Sequence, residues 1–199
     1  MAEDKREPGW YLALMAPNSK GSEFLQWLDT TAMYRNAEAF HQCVADLTKD
    51  FQPDEVDLVA GIDAAGFILG GAIACHLKKG FLAIRKYGNL CVEVDDVRFK
   101  DYSKKEKRLE IRKDAFKPGT KVLIVDQWIE TGGSMAAAVE LVERQQGIVA
   151  GIACVCIEES EGGKRLMEKY KCVSCVASRE IQDQVNAQNL ESCKTYKPL

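Results

Sequence analysis

The residues best suited to chemistry lie in the segment 121–134, Lys-Val-Leu-Ile-Val-Asp-Gln-Trp-Ile-Glu-Thr-Gly-Gly-Ser. Its apolar first half predicts a buried strand that ends at the carboxylate Asp126. A helix is expected to begin at Thr131-Gly132-Gly133-Ser134 and to be closed by Gly147. A helix N-terminus offers N–H groups and the positive end of a dipole, and glycines let the backbone approach an anion. The pattern predicts a phosphate site; the alternative is a glycine-rich turn with a serine N-cap.

Asp126 stands at the predicted carboxyl end of its strand, which is where open α/β sheets bind ligands. Its carboxylate can accept hydrogen bonds from sugar hydroxyls beside a phosphate. The segment is not a P-loop, because no Gly-Lys-Ser/Thr follows its glycines. A sugar phosphate is therefore the ligand class that this segment favours.

The elements that must position these residues alternate between strands and helices, which predicts an α/β fold. A helix is expected over 36–49, a buried strand over 56–62, a helix over about 67–78 that Gly80 closes, and a strand over 81–85. The last three form a βαβ unit, which favours a parallel pair with a right-handed crossover. The turn Asp63-Ala64-Ala65-Gly66 lies within that unit.

Residues 86–113 depart from this alternation. Extended segments are expected over 92–99 and 109–111, with a highly charged run between them. Such a run is typical of a solvated hairpin tip. The second interpretation is a mobile flap over an anionic ligand, because long loops in compact domains tend to be functional. Lysines and arginines of the run would then face that ligand: Lys104, Lys105, Lys107 and Arg108.

Composition limits the class of protein. The 199 residues, with 27 basic and 30 acidic side chains and a net charge of −3, fit one domain with no overall attraction to nucleic acid or a membrane. The charged N-terminus has no apolar signal core, and no apolar stretch is long enough to span a bilayer. We therefore expect a cytoplasmic protein with reduced thiols. Cys172 and Cys175 are expected near a late strand, half-buried and without a metal.

The segment 121–134 resembles the phosphoribosyl pyrophosphate (PRPP) signature of type I phosphoribosyltransferases, and residues 25–175 resemble adenine phosphoribosyltransferases. Three further segments carry the likeness: Ala60 to Phe67, Ile84 to Gly88 and Leu109 to Ala115. The resemblance implies a twisted, mainly parallel sheet flanked by helices, with a small hood and a flexible β-arm. It implies a single domain with a hood segment over 1–35, a flap over 86–113 and a C-terminal extension over 179–199, and usually a homodimer.

The resemblance also implies a reaction between small molecules. PRPP, which carries Mg²⁺, and a purine base yield a nucleoside monophosphate and pyrophosphate. By analogy, Asp126 holds the ribose hydroxyls, and Trp27 stacks on the base unless it is a core indole. The residues implied for the 5′-phosphate are Glu130, Thr131, Gly132, Gly133 and Ser134. Those implied for pyrophosphate are Asp63, Ala64, Ala65, Gly66, Arg85 and Lys86.

Several positions depart from the adenine enzymes. Gln127 replaces a second acid, Ala65 replaces an arginine, and Leu28 replaces an arginine beside the stacking aromatic. The catalytic Glu-Tyr pair of the flap falls on Ser103 and Lys104. Glu130 stands where hypoxanthine-guanine enzymes have an acid, so it is either a proton acceptor or a carboxylate favoured by the helix dipole. These departures lead us to expect weak or absent activity with adenine. Two hypotheses follow: an enzyme that transfers phosphoribosyl to a purine-like base, or a catalytically impaired regulatory protein that binds PRPP or a nucleotide.

Overall fold

The apolar runs form one seven-stranded sheet in the computed structural model, which describes residues 9–15, 30–100 and 105–176. The spatial order of the strands is β3-β4-β2-β1-β5-β6-β7. Strands β2, β1, β5, β6 and β7 run parallel, and β4 and β3 add an antiparallel edge. The strands are β1 (Leu58–Ile62), β2 (Gly80–Lys86), β3 (Val94–Lys100), β4 (Glu106–Arg112), β5 (Lys121–Ile129), β6 (Ile148–Ile157) and β7 (Cys172–Val176).

Helices cover both faces of the sheet, which is why β1 is apolar throughout and β5 is apolar from Val122 to Val125. Neighbouring residues of β5 point into different cores: Leu123 and Val125 pack against α2 and α3, whereas Ile124 packs on the side of α4. The helices are a 3-10 helix (Trp10–Leu14), α1 (Thr31–Arg35), α2 (Ala37–Thr48), α3 (Ala65–Leu77), α4 (Gly133–Arg144) and α5 (Glu161–Lys169). No helix of the described residues is long and apolar enough to cross a membrane.

The expected α/β architecture is confirmed, and so is the βαβ unit of β1, α3 and β2. The two extended segments of 86–113 form the antiparallel pair β3 and β4. The side chain of Asn36 caps α2 by accepting a hydrogen bond from the amide of Ala39 at 3.0 Å. Cys172 and Cys175 lie half-buried in β7, as expected.

The predicted ends of β5 and α4 are wrong. Strand β5 does not end at Asp126 but continues to Ile129, because Trp128 and Ile129 still pair with β6. Helix α4 ends at Arg144, and the left-handed residue that follows it is Gln146, with φ of 63°, rather than Gly147. The amide of Gly147 instead donates to the carbonyl of Val142 at 2.9 Å.

Helix α3 begins at Ala65, two residues earlier than expected, and Lys78 rather than Gly80 takes the left-handed conformation after it. Several expectations fall on residues outside the described ranges. These are base stacking by Trp27, the substitution at Leu28, the flap positions Ser103 and Lys104, the extension 179–199 and most of the hood segment 1–35.

Candidate functional site

The loop 63–66 follows β1 and lies at the carboxyl edge of the sheet. The amide of Asp63 donates to the carbonyl of Ile84 at 2.9 Å, which fixes the start of the loop to β2. The Asp63–Ala64 peptide bond is cis. Ala64 is exposed, whereas Gly66 is buried. The sequence predicted this turn at the end of a strand, and the structure places it there.

Gly66 brings this loop against β5. A Cβ atom built on Gly66 would lie 2.6 Å from the carbonyl oxygen of Val125 and 3.3 Å from the Cα atom of Asp126. Only glycine permits so close an approach of two backbones. The loop 63–66 and Asp126 are therefore neighbours across the boundary between β1 and β5. The chain order reverses direction across the sheet at this boundary, which is the switch point where α/β sheets bind ligands.

Asp126 is a half-buried carboxylate at this boundary. Its Oδ1 accepts a hydrogen bond from the amide of Gln127 at 2.7 Å. Burial raises the pKa of Asp126 to about 7, and the Gln127 hydrogen bond opposes that rise only in part. An acid with this pKa exists in both protonation states near neutral pH, as groups in functional sites often do.

Gln127 contacts a residue that sequence reasoning missed. The hydroxyl of Tyr34 donates to Gln127 Oε1 at 3.3 Å, and burial raises the pKa of Tyr34 above its usual value. Tyr34 belongs to α1 and is 93 positions away in sequence. No local sequence pattern links Tyr34 to Gln127. Only the folded chain shows that the side-chain amide of Gln127, next to Asp126, is hydrogen-bonded to a residue of α1.

The loop 130–134 continues from β5 into α4. Gly132 is the N-cap with φ of 79°, and α4 begins at Gly133. The first helical hydrogen bond runs from Ala136 N to Gly132 O at 2.9 Å, so the amides of Gly133, Ser134 and Met135 have no partner within the helix. Such amides are suited to an anion. Ser134 lies in the first turn and is not the N-cap, so the serine-capped turn that was the alternative to a phosphate site is not formed.

Two neighbours confine this loop. A Cβ atom on Gly133 would collide with the carbonyl oxygen of Lys100 at the end of β3. A Cβ atom on Gly162 in α5 would collide with the carbonyl oxygen of Thr131. The loop therefore lies between the β-arm and the start of α5. The sequence did not indicate the contact with Gly162. Glu130 is half-buried and Thr131 is exposed.

Arg85 and Lys86 end β2 beside the loop 63–66. The Nε atom of Arg85 lies 3.6 Å from Asp63 Oδ2, and its Nη1 donates to the carbonyl of Asn89 at 3.0 Å. The amide of Lys86 lies 3.5 Å from the same Asp63 oxygen. Both residues that the resemblance implied for pyrophosphate are thus adjacent to the loop implied for it.

Arg108 does not extend towards this loop. Its guanidinium pairs with Asp96 at 2.6 Å and stacks on the ring of Tyr87 at 3.5 Å. The ion pair joins β3 to β4 within the arm. Lys105 and Lys107 are exposed. Of the basic residues that sequence suggested for a flap, Arg108 is therefore committed to holding the arm together.

The described residues contain no group of three or more His, Cys, Asp or Glu side chains arranged to hold a metal. Mg²⁺ keeps several waters and is usually bound through substrate phosphates and one or two carboxylates. An ion delivered on a diphosphate therefore needs no protein cage, and the residues at the sheet edge are compatible with it.

The fold and this edge define an α/β protein that places two loops and a carboxylate at the switch point of its sheet, as sugar-phosphate-binding proteins do. A family model described as "Phosphoribosyl transferase domain" matches residues 30–192. The chain belongs to the phosphoribosyltransferase family and has the fold of its type I members.

The similar proteins include adenine phosphoribosyltransferases. One from Symbiobacterium thermophilum is 37% identical over 154 residues, which cover 76% of this chain and 89% of the relative. The crystal structure of one from Rhodothermus marinus is 33% identical, with a TM-score of 0.71 over 76% of this chain and 86% of that chain. One from Saccharomyces cerevisiae, in complex with D-2,5-dideoxy-2,5-imino-altritol 1,6-bisphosphate and adenine, is 28% identical, with a TM-score of 0.65 over 75% and 86%.

Proposed function

We propose that this protein is an adenine phosphoribosyltransferase, which transfers the phosphoribosyl group of PRPP to adenine and releases pyrophosphate. The observation that carries the proposal is the contact at Gly66, which puts the loop 63–66 directly beside Asp126. A substrate with a sugar between two phosphate groups needs two anion-binding loops with a sugar-binding group between them. The choice of adenine as the base is supported by the relatives that are named adenine phosphoribosyltransferases.

The 5′-phosphate of PRPP binds at the loop 130–134 in this proposal. The amides of Gly133 and Ser134 and the hydroxyls of Thr131 and Ser134 donate to its oxygens. The dipole of α4 favours the negative charge. These contacts fix one end of the substrate, so that the anomeric carbon C1′ is held at a defined distance from the loop 63–66.

Asp126 acts on the ribose. Its carboxylate accepts hydrogen bonds from the ribose hydroxyls and offsets the positive charge that develops at C1′ as the bond to pyrophosphate lengthens. The half-buried position strengthens this interaction, because fewer water molecules screen it. Ionised Asp126 is the form that performs this role.

The loop 63–66 receives the leaving group. The C1′–O bond breaks, its electron pair leaves with pyrophosphate, and a bond forms between C1′ and the adenine nitrogen N9. Arg85 and Lys86 offset the charge of the departing pyrophosphate, and backbone amides of the loop hold its oxygens. Mg²⁺, bound mainly by substrate oxygens beside this loop, would supply further charge neutralisation.

Glu130 is the candidate acceptor for the proton that leaves N9. It is half-buried in the loop that holds the 5′-phosphate, close in sequence to Asp126. Its other assignment, a carboxylate that favours the start of α4, needs no contact with the base. Stacking by Trp27 remains a prediction, and so does the homodimer.

The catalytically impaired binding protein is the less well supported hypothesis. It rested on the replacement of family residues at Gln127 and Ala65 and on the missing glutamate of the flap, whose position, Ser103, lies outside the described residues. Gln127 still presents an amide oxygen and is held by Tyr34, and Arg85 places a guanidinium beside the loop that contains Ala65. Relatives at 37% identity over most of both chains are named as enzymes.

Release of pyrophosphate tests the proposal. The protein is incubated with PRPP, Mg²⁺ and, separately, adenine, hypoxanthine, guanine and uracil. We expect turnover with adenine that exceeds that with each other base by at least about tenfold, because exchanging donor and acceptor groups on a base leaves buried partners unpaired. Binding of PRPP without turnover of any base would favour the regulatory hypothesis. Preference for hypoxanthine or guanine would refute the assignment of adenine.

A further inference from the structure

Glu110 is a charged residue inside the protein, with 1% of its surface exposed. Charged side chains are almost never buried so completely unless they are paired or hydrogen-bonded. Glu110 lies in β4, directly opposite Arg85 of β2 in the strand register. Its hydrogen-bond partners indicate its role.

The carboxylate of Glu110 accepts hydrogen bonds from three successive backbone amides. Gly88 N donates to Oε2 at 2.9 Å, and Asn89 N and Leu90 N donate to Oε1 at 2.8 and 2.7 Å. Gly88 has φ of 88°, a conformation that glycine adopts without strain. A buried carboxylate with three charge-assisted hydrogen bonds holds the turn 88–90 in one conformation.

The turn 88–90 also contacts Arg85. The carbonyl oxygen of Asn89 accepts from Arg85 Nη1 at 3.0 Å, and Asn89 Nδ2 donates to the carbonyl of Lys86 at 2.8 Å. The Nε atom of the same guanidinium lies 3.6 Å from Asp63 of the loop 63–66. A continuous set of contacts therefore runs from Glu110 through the turn to Arg85 and the loop.

Strand pairing alone does not fix this geometry. Strands β2 and β4 share only two register pairs, Arg85 with Glu110 and Lys86 with Leu109. The amide of Tyr87 still donates to the carbonyl of Arg108 at 3.1 Å, and the turn 88–90 follows. The direction of the Arg85 side chain therefore also depends on where this turn presents the carbonyl group of Asn89. Glu110 holds the turn through its three hydrogen bonds.

We propose that Glu110 is a positioning residue that holds the guanidinium of Arg85 at the pyrophosphate loop 63–66. The inference rests on the proposed function, since it assigns Arg85 to pyrophosphate. Glu110 itself does not touch the substrate. It acts through Arg85, which meets the leaving group in a fixed orientation and loses little side-chain freedom on binding.

Glu110→Gln tests the proposal with little change in shape. The amide group of glutamine points two N–H donors at backbone donors, so at least one amide of the turn loses its acceptor. We expect the KM for PRPP and the Kd for pyrophosphate in the presence of Mg²⁺ to rise about tenfold, while the KM for adenine stays within about twofold of the wild type. Glu93→Gln is the matched control: the same change at an exposed carboxylate near the turn, expected to leave all three constants unchanged.

A double-mutant cycle separates positioning from general loss of structure. If Glu110 acts through Arg85, pyrophosphate binds to Arg85→Ala and to Arg85→Ala/Glu110→Gln with the same affinity within about twofold. Equal losses in both backgrounds would overturn the proposal, and so would a folded Glu110→Gln variant with unchanged affinity for PRPP. Glu110→Asp, which keeps the charge but is one methylene group shorter, is the second variant if Glu110→Gln does not fold, and the same weakening is expected.

Binding measurements keep this proposal distinct from the proposed function. If the wild-type protein binds PRPP and pyrophosphate but turns over no base, the proposed enzymatic activity is refuted. Calorimetry on the Glu110 variants still tests whether Glu110 positions Arg85 in that case. A wild-type protein that binds neither ligand overturns both.

Discussion

Asp126 combines two properties that oppose each other. Its half-buried position favours the neutral acid, as the pKa of about 7 shows, whereas the proposed reaction needs the carboxylate. The ordinary pKa of an aspartic acid is about 3.9, so the folded protein binds more protons than the unfolded chain between about pH 4 and pH 7. The contribution of Asp126 to stability is therefore fully present below about pH 4 and is lost as the pH rises through about 7.

Asp126→Asn removes this titration. At pH 8 we expect the variant to be more stable than the wild type by about 1–3 kcal/mol, a range lowered to allow for partial exposure, and the gain to disappear towards pH 4. Affinity for PRPP is expected to fall because the sugar loses a charged acceptor. Urea denaturation at several pH values measures the first effect, and calorimetry with PRPP measures the second.

Asp54→Asn, at an exposed carboxylate in the turn before β1, is the control and is expected to change neither stability nor affinity. A stability difference between Asp126→Asn and the wild type that does not vary with pH would contradict the assigned pKa. Unchanged affinity for PRPP would mean that the ribose lies elsewhere. A gain in stability with a loss of binding is the combination expected for a residue retained for function.

The sequence predicted candidate residues and the elements that carry them, but not the partners of those residues. Asp126, Gly66 and Gly133 could be proposed as candidates because strand, turn and glycine patterns are local. Tyr34 was missed because its contact with Gln127 joins positions 93 residues apart. Glu110 lies in a segment that carries the family resemblance, but nothing in its neighbouring residues shows that it accepts hydrogen bonds from three amides of a turn about 20 residues earlier.

At the scale of elements, helix α3 contains one glycine in a crowded position and one in an open position. Gly66 lies in its first turn, where a Cβ atom would be 2.6 Å from the backbone oxygen of Val125. Gly71 lies in its middle, where a Cβ atom would have nothing within 4 Å. The pair allows the same substitution to be made in one helix with and without steric conflict.

We expect Gly66→Ala to destabilise the protein by roughly 1–3 kcal/mol, because a central strand cannot move away from the added methyl group. Gly71→Ala is expected to stabilise it by about 0.5–1 kcal/mol, the usual gain when alanine replaces glycine inside a helix. Urea denaturation gives both values. Pyrophosphate binding should be lost only in Gly66→Ala, and retention of wild-type binding there would show that the loop 63–66 does not need this contact.

The same scale explains which boundaries were predictable. The core of α2 and the alternation of β1, α3 and β2 follow from hydrophobic spacing, which is local. The end of β5 does not, because residues 127–129 remain strand only while β6 runs beside them. The end of α4 was misjudged because Gln146, rather than a glycine, adopts the left-handed conformation there.

At the scale of the molecule, the candidate site lies at an edge of the sheet that borders two cores, one on each face. One core lies beneath α2 and α3, and the other lies beneath α4. The loop 63–66 runs into the first turn of α3, whereas the loop 130–134 runs into the first turn of α4, so a ligand that touches both loops joins elements from both cores. Binding should therefore stabilise the whole fold against unfolding rather than one edge of it.

Thermal unfolding with nucleotides tests this at the level of the intact chain. A ligand at about 100 times its Kd stabilises the folded state by about 2.7 kcal/mol. For a chain of 199 residues, each kcal/mol raises Tm by about 2–4 °C, so AMP is expected to raise it by roughly 5–10 °C. UMP at the same concentration offers the same ribose phosphate with a different base and should give a clearly smaller rise, whereas Asp126→Asn should reduce the response to AMP. A larger shift with GMP than with AMP would instead assign Glu130 to an oxopurine and exclude adenine as the preferred base.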